Sequence, residues 1–161
     1  MFFIDRIKYF SEKYKLIYQY IDERKTDKYL YLIVNSDYGF TLQPALILAA
    51  LKYNDNDSIF EQKIQIVSKF ITKLLTWRVW NHNQISQSAL ETQIYSLCKE
   101  IRDKDISEID NILNSELIEI PDLEGIPILN QQNKKKIKTF TCTNYRNSYY
   151  KIRSSFRLYA K

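Results

Sequence analysis

The residues that break regular structure are scarce in this sequence: glycine occurs twice and proline three times among 161 residues. Folds with many strands need many turns, and turns recruit Gly and Pro as well as Asn and Asp for their backbone geometry. The shortage therefore predicts long helices, although the Asn and Asp residues leave room for a short strand. We expect an all-α fold, a single array of about six or seven helices in an orthogonal or irregular bundle.

Histidine is scarcer still, because His82 is the only one. A histidine-based nuclease needs one histidine as a base and another to hold the metal, and a zinc site needs several His or Cys ligands. Cys98 and Cys142 lie far apart, and we expect Cys98 to be a buried, inert thiol. Two isolated glycines cannot form a phosphate-binding loop. We predict no catalytic residue, no metal site and no cofactor. The 19 acidic residues leave a catalytic pair of carboxylates as an alternative.

Long apolar runs are also missing. The longest run, Pro44–Leu51, has eight residues, whereas a helix that spans a membrane needs about 20. The first residues lack the basic start and the uninterrupted apolar core of a signal peptide. We therefore expect a cytoplasmic protein that does not bind membranes.

An apolar stripe marks the first predicted helix, which is about 20 residues long. Its members recur at alternate spacings of four and three residues: Phe3, Ile7, Phe10, Tyr14, Ile17 and Ile21. Because this helix starts with the chain and no capping residue precedes it, we expect the chain to be a segment of a longer protein.

The next part of the chain contains the predicted central helix. Tyr29–Val34 is a short apolar segment that fits either a strand or a buried helix. After a turn at 35–39, Thr41 can cap a helix that accepts Pro44 in its first turn. Residues 45–51 are apolar on nearly every side, so we expect this helix to lie centrally.

Three further helix starts follow from capping patterns. Ser58 with Glu61, and Ser88 with Glu91, have the spacing of capping boxes, in which each partner satisfies a free backbone amide. A third helix follows Asp105, and capping together with the helix dipole explains the acidic residues around its start. We expect 1–161 to form one helical domain.

The C-terminal part is predicted to consist of a long loop, 119–133, and a basic helical region, 134–161, with its helix at 145–159. Residues 131–161 carry nine basic side chains and no acidic one, whereas the other 130 residues carry 15 basic and 19 acidic side chains. The nine are Lys134, Lys135, Lys136, Lys138, Arg146, Lys151, Arg153, Arg157 and Lys161.

Two interpretations of this basic end are open. Clustered Lys and Arg can neutralise phosphates, and the interleaved aromatic side chains can stack on exposed bases. Alternatively, Ile152, Phe156 and Tyr159 pack inward at helical spacing, and the lysines are solvated or pair with the acidic body. For the first interpretation, the candidate nucleic-acid contacts are the basic residues from Lys134 to Arg157.

Three stretches, in this order, resemble a known family: Leu42–Leu48 (LQPALIL), Phe70–Trp80 (FITKLLTWRVW) and Asn144–Arg153 (NYRNSYYKIR). They are similar to the helical region of the GmrSD-type restriction proteins of bacteria and archaea. In that family the region follows a ParB/sulfiredoxin-like nucleotidase domain and precedes an HNH nuclease domain. The Asp-Gly-Gln-Arg motif and the His-rich nuclease motif of the family are absent here, so no catalytic residue is carried over.

The resemblance implies a non-catalytic connecting segment of a modification-dependent DNA restriction (defence) protein. Its partners would be the adjacent nucleotidase and nuclease domains of the parent chain, and DNA phosphates along the basic end. Arg78 lies where such proteins place a basic residue at the end of this helix, which makes it a candidate DNA or interdomain contact. The alternative is a structural protein–protein interaction module that does not bind nucleic acid.

Overall fold

A computed structural model describes residues 2–80 and 83–118 of the chain. These residues form six helices and no strand, which confirms the predicted all-α class. The helices are α1 (Phe2–Asp22), α2 (Thr26–Asp37), α3 (Gln43–Ala50), α4 (Asp57–Trp80), α5 (Gln87–Glu100) and α6 (Ile106–Ile118). His82, Cys142, the predicted loop 119–133 and the basic region 134–161 lie outside the described residues.

The longest helix, α4, is the centre of the bundle and packs against α2, α3 and α6. Its apolar residues recur every three or four positions, so they form a continuous buried face along the helix. That face includes Phe60, Ile64, Val67, Ile71, Leu74 and Leu75. The neighbouring helix α3 buries Leu46, Ile47 and Ala50 completely, which confirms the predicted central position of this short helix.

The ambiguous segment Tyr29–Val34 is helical and belongs to α2. Its helix is kinked at Tyr29, whose backbone angles (φ −119°, ψ 33°) leave the helical region. Leu32 and Ile33 are fully buried. Hydrophobic pattern alone left this segment open because a short apolar run fits both kinds of buried element.

A buried network of polar side chains joins α2, α3 and α4. The Asn35 amide donates to Oε1 of Gln43 at 2.6 Å and to the backbone oxygen of Ser68 at 2.9 Å. Thr72 donates its hydroxyl to Oδ1 of Asn35 at 2.7 Å, and Gln43 donates to the Leu32 carbonyl at 3.0 Å. Buried polar groups are costly unless they are paired, so this network fixes how the three helices sit against one another.

The start of α3 departs in part from the sequence-based prediction. Pro44 lies in the first turn, as expected, but the residue preceding the helix is Leu42, whose side chain cannot cap. The Thr41 hydroxyl instead donates to Oε1 of Gln87 at 2.9 Å. The prediction of Thr41 as the cap was wrong because its hydroxyl hydrogen-bonds a side chain from another helix.

Both predicted capping boxes were wrong as well. The cap of α4 is Asn56, two residues earlier than Ser58, and its Oδ1 accepts the Ile59 amide at 2.9 Å. Glu61 accepts from Lys28 at 2.6 Å, and an ammonium partner attracts a carboxylate more strongly than a neutral amide does. Helix α5 begins at Gln87, and the residue that precedes it is Ser86. The predicted cap Ser88 therefore lies inside the helix.

The start of α6 has the capping contact that its acidic residues predict. Oε2 of Glu108 accepts the backbone amide of Asp105 at 2.9 Å, and this hydrogen bond lowers the pKa of Glu108. The carboxylate of Asp105 lies 2.7 Å from Nζ of Lys52, which lowers the pKa of Asp105. Asp105 and Glu108 at this helix start therefore have structural partners.

Candidate interaction surface on the first helix

Helix α1 buries a different side from the one that its apolar stripe predicts. Of the six stripe residues, Ile17 is completely buried, and Phe10 and Ile21 are partly buried against the core. Phe3, Ile7 and Tyr14 are exposed. The interpretation of the whole stripe as one buried face was therefore wrong for half of its members.

The buried side of α1 is turned by roughly a quarter of a turn from the stripe, given 100° per residue. It holds Tyr9, Lys13, Leu16, Ile17 and Tyr20, each buried at least in part. Sequence patterns place a lysine on the solvent side of a helix, but long side chains can bury their stems and keep the charge paired. The sequence-based prediction of the buried side was wrong because the amphipathic residues Tyr9, Lys13 and Tyr20 were not counted as apolar.

Specific contacts hold α1 in this orientation. Nζ of Lys13 lies 2.7 Å from Oδ1 of Asp57 and 4.5 Å from the ring centre of Phe60. The hydroxyl of Tyr9 donates to the backbone oxygen of Asp55 at 3.0 Å. Near the other end of α1, Tyr20 stacks on Tyr29 with ring centres 4.3 Å apart. Since the Lys13 and Tyr9 hydrogen bonds have defined directions, they set the rotation of α1 more narrowly than apolar packing alone would.

The exposed side of α1 carries a regular row of side chains, which we call the α1 seam. It consists of Ile4, Ile7, Ser11, Tyr14 and Tyr18, alternately three and four residues apart. All five are exposed, Ile4 to 70% and Ile7 to 54%, and Phe3 beside them is exposed to 74%. Three-and-four spacing over this length is the pattern by which one helix packs along another.

The two tyrosines at the C-terminal end of the α1 seam contact each other. Their ring centres are 4.9 Å apart, and the hydroxyl of Tyr14 donates to that of Tyr18 at 3.3 Å. This contact raises the pKa of Tyr18. The seam thus grades from aliphatic side chains at one end to a pair of phenols at the other.

Single exposed apolar residues are common on soluble proteins, but a contiguous set on one face of a helix marks an interaction surface. The α1 seam spans about 21 Å at 1.5 Å per residue. The opposite side of the same helix is fixed by Lys13 and Tyr9, so the seam is presented on a supported helix. A surface that is already held in place loses less conformational entropy when a partner binds.

A polar cleft lined by α4, the start of α6 and the α3–α4 connection has a volume of about 590 Å³. Four of its charged side chains are paired with one another: Lys63 with Asp55 at 2.7 Å and Lys52 with Asp105 at 2.7 Å. In the described ranges, no group of three or more His, Cys, Asp or Glu side chains is placed to hold a metal ion. The cleft offers a ligand few groups that are not already engaged.

The predicted nucleic-acid contacts fall largely outside the described residues. Eight of the nine lie outside them: Lys134, Lys135, Lys136, Lys138, Arg146, Lys151, Arg153 and Arg157. Arg78 lies in the last turn of α4, half-buried, and its Nε donates to the Gln84 carbonyl at 2.7 Å. Burial lowers the pKa of Arg78. This hydrogen bond joins the last turn of α4 to the segment that precedes α5.

Cys98 is buried in α5, as expected for a structural thiol, and burial raises the pKa of this thiol. Thiolate is the reactive form of cysteine, so the raised pKa disfavours reactivity at neutral pH. Across residues 2–80 and 83–118, no helix has the length and apolar character needed to cross a membrane. Comparisons of this chain with protein-family models, curated proteins and solved structures find no match.

Proposed function

We propose that this chain is a non-catalytic helical module that binds a protein partner through the α1 seam. The observation that carries this proposal is the exposure of Ile4, Ile7, Tyr14 and Tyr18 on one regular row of a supported helix. The remaining helices supply the core that holds α1, and α4 packs against three of them, α2, α3 and α6.

The exposed apolar surface is large enough to contribute to affinity. Full burial of an aliphatic or aromatic side chain contributes about 2 kcal/mol, so covering the α1 seam and Phe3 would contribute several times that amount. Stable interfaces bury about 800 Å² on each partner. The seam would therefore form the apolar centre of a larger surface, with polar residues of α1 around it.

Site-specific photo-crosslinking tests this proposal. A photoreactive residue at Ile7 should form a defined crosslinked product in the native cell or its extract, and the same residue at Tyr95 should not. Tyr95 is a matched control because it is an exposed aromatic on α5, 44% accessible. Excess unlabelled wild-type chain should suppress the product, and excess Ile4→Asp/Ile7→Asp variant should not. Equal labelling from both positions would contradict the proposal.

A second proposal concerns the basic end and follows from the charge division of the sequence. Nine basic and no acidic side chains in residues 131–161 favour contact with DNA phosphates. The resemblance to the helical region of GmrSD-type restriction proteins supports the same function, namely a connecting segment between a nucleotidase domain and a nuclease domain. The two proposals are compatible, since an adjacent domain can supply the protein partner of the α1 seam.

DNA affinity measured against salt concentration tests the second proposal. Counterion release makes the logarithm of the binding constant fall linearly with the logarithm of salt concentration. Charge reversal at Lys134, Lys135, Lys136 and Lys138 should lower the affinity and flatten this slope. The same number of reversals among exposed lysines of the helical body should have a smaller effect. An affinity that responds to neither salt nor these substitutions would contradict DNA binding through the basic end.

A further inference from the structure

The two flanks of the α1 seam differ in chemistry. Lys8 and Lys15 follow Ile7 and Tyr14 by one residue each, so both lie along the outer flank, and both are exposed. In the described part of the chain neither lysine forms a hydrogen bond or an ion pair, unlike Lys13, which is bound to Asp57.

The inner flank of the seam faces the body of the protein. It carries Phe3, Phe10 and Ile17, of which Phe10 and Ile17 pack against the core. A helix laid along the α1 seam would therefore meet apolar side chains on one flank and lysines on the other. The acidic residues Asp5 and Glu12 lie farther round by about 60° at 100° per residue, and Asp22 lies on the lysine flank beyond Tyr18, the last residue of the seam.

Ser11 gives the seam a gap. It is the smallest member and lies between the larger side chains of Ile7 and Tyr14. In helix pairs with three-and-four spacing, a side chain of one helix inserts among four residues of the other. A large apolar side chain of a partner helix fits this gap better than a small one.

The flanking charges argue against two occupants from this chain. An antiparallel pairing of two α1 seams would bring Lys8 of one copy beside Lys15 of the other, and like charges at such flanks oppose association. The basic end, residues 131–161, carries nine positive charges and no negative one, so it would meet the same repulsion. Charge complementarity instead favours acidic residues on the partner.

We infer that the α1 seam takes an amphipathic helix of a partner protein, with large apolar residues at three-and-four spacing and acidic residues along the flank that meets Lys8 and Lys15. This inference rests on the proposed protein-binding function and specifies the chemistry of the partner. Apolar contacts supply the affinity, and the lysines select the partner by charge and set its orientation.

Two designed peptides of about three heptads provide the test, since this length exceeds that of the seam. Both have the same apolar row, and they carry either Glu or Lys at the flanking positions. Repulsion among like charges keeps each peptide from pairing with itself. Fluorescence anisotropy with the full chain should show at least about tenfold tighter binding of the Glu peptide at low salt, a difference of about 1.4 kcal/mol.

Charge-reversed variants of the full chain sharpen the test. Lys8→Glu/Lys15→Glu should reverse the preference between the two peptides. The matched control, Lys69→Glu/Lys99→Glu, changes net charge equally at exposed lysines of α4 and α5 and should keep the wild-type preference. Ile7→Asp should abolish binding of both peptides. Thermal unfolding of each variant, followed by circular dichroism, verifies that the fold is retained.

Each contrary outcome has a distinct meaning. Equal binding of both peptides, unchanged by the Lys8 and Lys15 reversals, would overturn the acidic partner while leaving the seam as a binding surface. Failure of both peptides to bind, with specific crosslinking from Ile7 intact, would overturn the helical partner but not the proposed function. A dimer in sedimentation that becomes monomeric in Ile7→Asp would identify a second copy as the occupant. Competition by a peptide of residues 145–161 would identify the basic end, and either result would overturn the inference.

Discussion

Nζ of Lys63 lies 2.7 Å from Oδ2 of Asp55, and the two side chains are only 2% and 9% exposed. The same carboxylate oxygen accepts the backbone amide of Lys52 at 2.9 Å, so Asp55 binds both α4 and the start of the α3–α4 connection. Tyr9 of α1 donates to the backbone oxygen of Asp55. A single buried aspartate therefore links three segments of the bundle.

Removing one member of this pair should strongly destabilise the fold. Asp55→Ala leaves the Lys63 ammonium buried without its carboxylate, and breaking a buried pair costs about 3–5 kcal/mol. Urea unfolding at pH 7 measures this change in the free energy of unfolding. The double variant Asp55→Ala/Lys63→Met should lose less than the single variant, because no unpaired charge remains. Exposed ion pairs contribute less than about 1 kcal/mol. If Asp55→Ala lowers the free energy of unfolding by no more than that, the pair is solvated.

Asn35→Leu should also destabilise the protein, because the substitution removes both the donor and the acceptor of the buried network. Oε1 of Gln43 would lose its partner, and an unsatisfied buried group costs about 1–3 kcal/mol. Ser36→Ala, at the next position of α2, is the control and should change the free energy of unfolding by less than about 0.5 kcal/mol. Equal effects of the two substitutions in urea unfolding would argue against the network.

The rotation of α1 predicts opposite outcomes for two isoleucines on the same predicted stripe. Ile17→Ala should cost about 3 kcal/mol because the side chain is fully buried. Ile7→Ala should change the free energy of unfolding by less than about 0.5 kcal/mol, since more than half of that side chain is exposed. Equal losses in urea unfolding would mean that the whole stripe is covered.

Tyr9 should ionise at unusually high pH. Burial, with the nearby carboxylates of Asp55 and Asp57, raises the pKa of Tyr9 to about 12. In the unfolded chain a tyrosine ionises near pH 10, so the contribution of Tyr9 to stability is present below about pH 10 and is lost as the pH rises through 12. Carbon-13 NMR of labelled tyrosine rings should show a resonance that titrates near pH 12 and is absent in Tyr9→Phe. Its titration near pH 10 would contradict the observed position of Tyr9.

The sequence predicted the helical class well because glycine and proline are scarce and because the apolar residues of α3 and α4 leave few alternatives. It predicted helix starts poorly. Several side chains can satisfy a free backbone amide, and Glu61 pairs with Lys28, a residue 33 positions earlier in the chain. Competition from such distant partners is not visible in a local pattern.

The candidate surface was only half predictable. The stripe drew attention to Phe3, Ile7 and Tyr14, but a stripe shows that a face is apolar and not what covers it. Which side of α1 is buried depends on Lys13 and Tyr20, because both contact residues of other helices, Asp57 and Tyr29. Only tertiary structure shows that the apolar stripe and the buried side of α1 are offset from each other.

The attachment of α1 has a consequence for its motion. Its first half buries little side-chain surface and is held mainly by Tyr9 and Lys13, which bind the α3–α4 connection and the start of α4. Segments with few buried apolar contacts open locally at lower free energy than the core does. Amide hydrogens of residues 4–12 should therefore exchange with solvent sooner than those of α4. A partner bound to the α1 seam would slow that exchange, and the degree of slowing would measure its affinity.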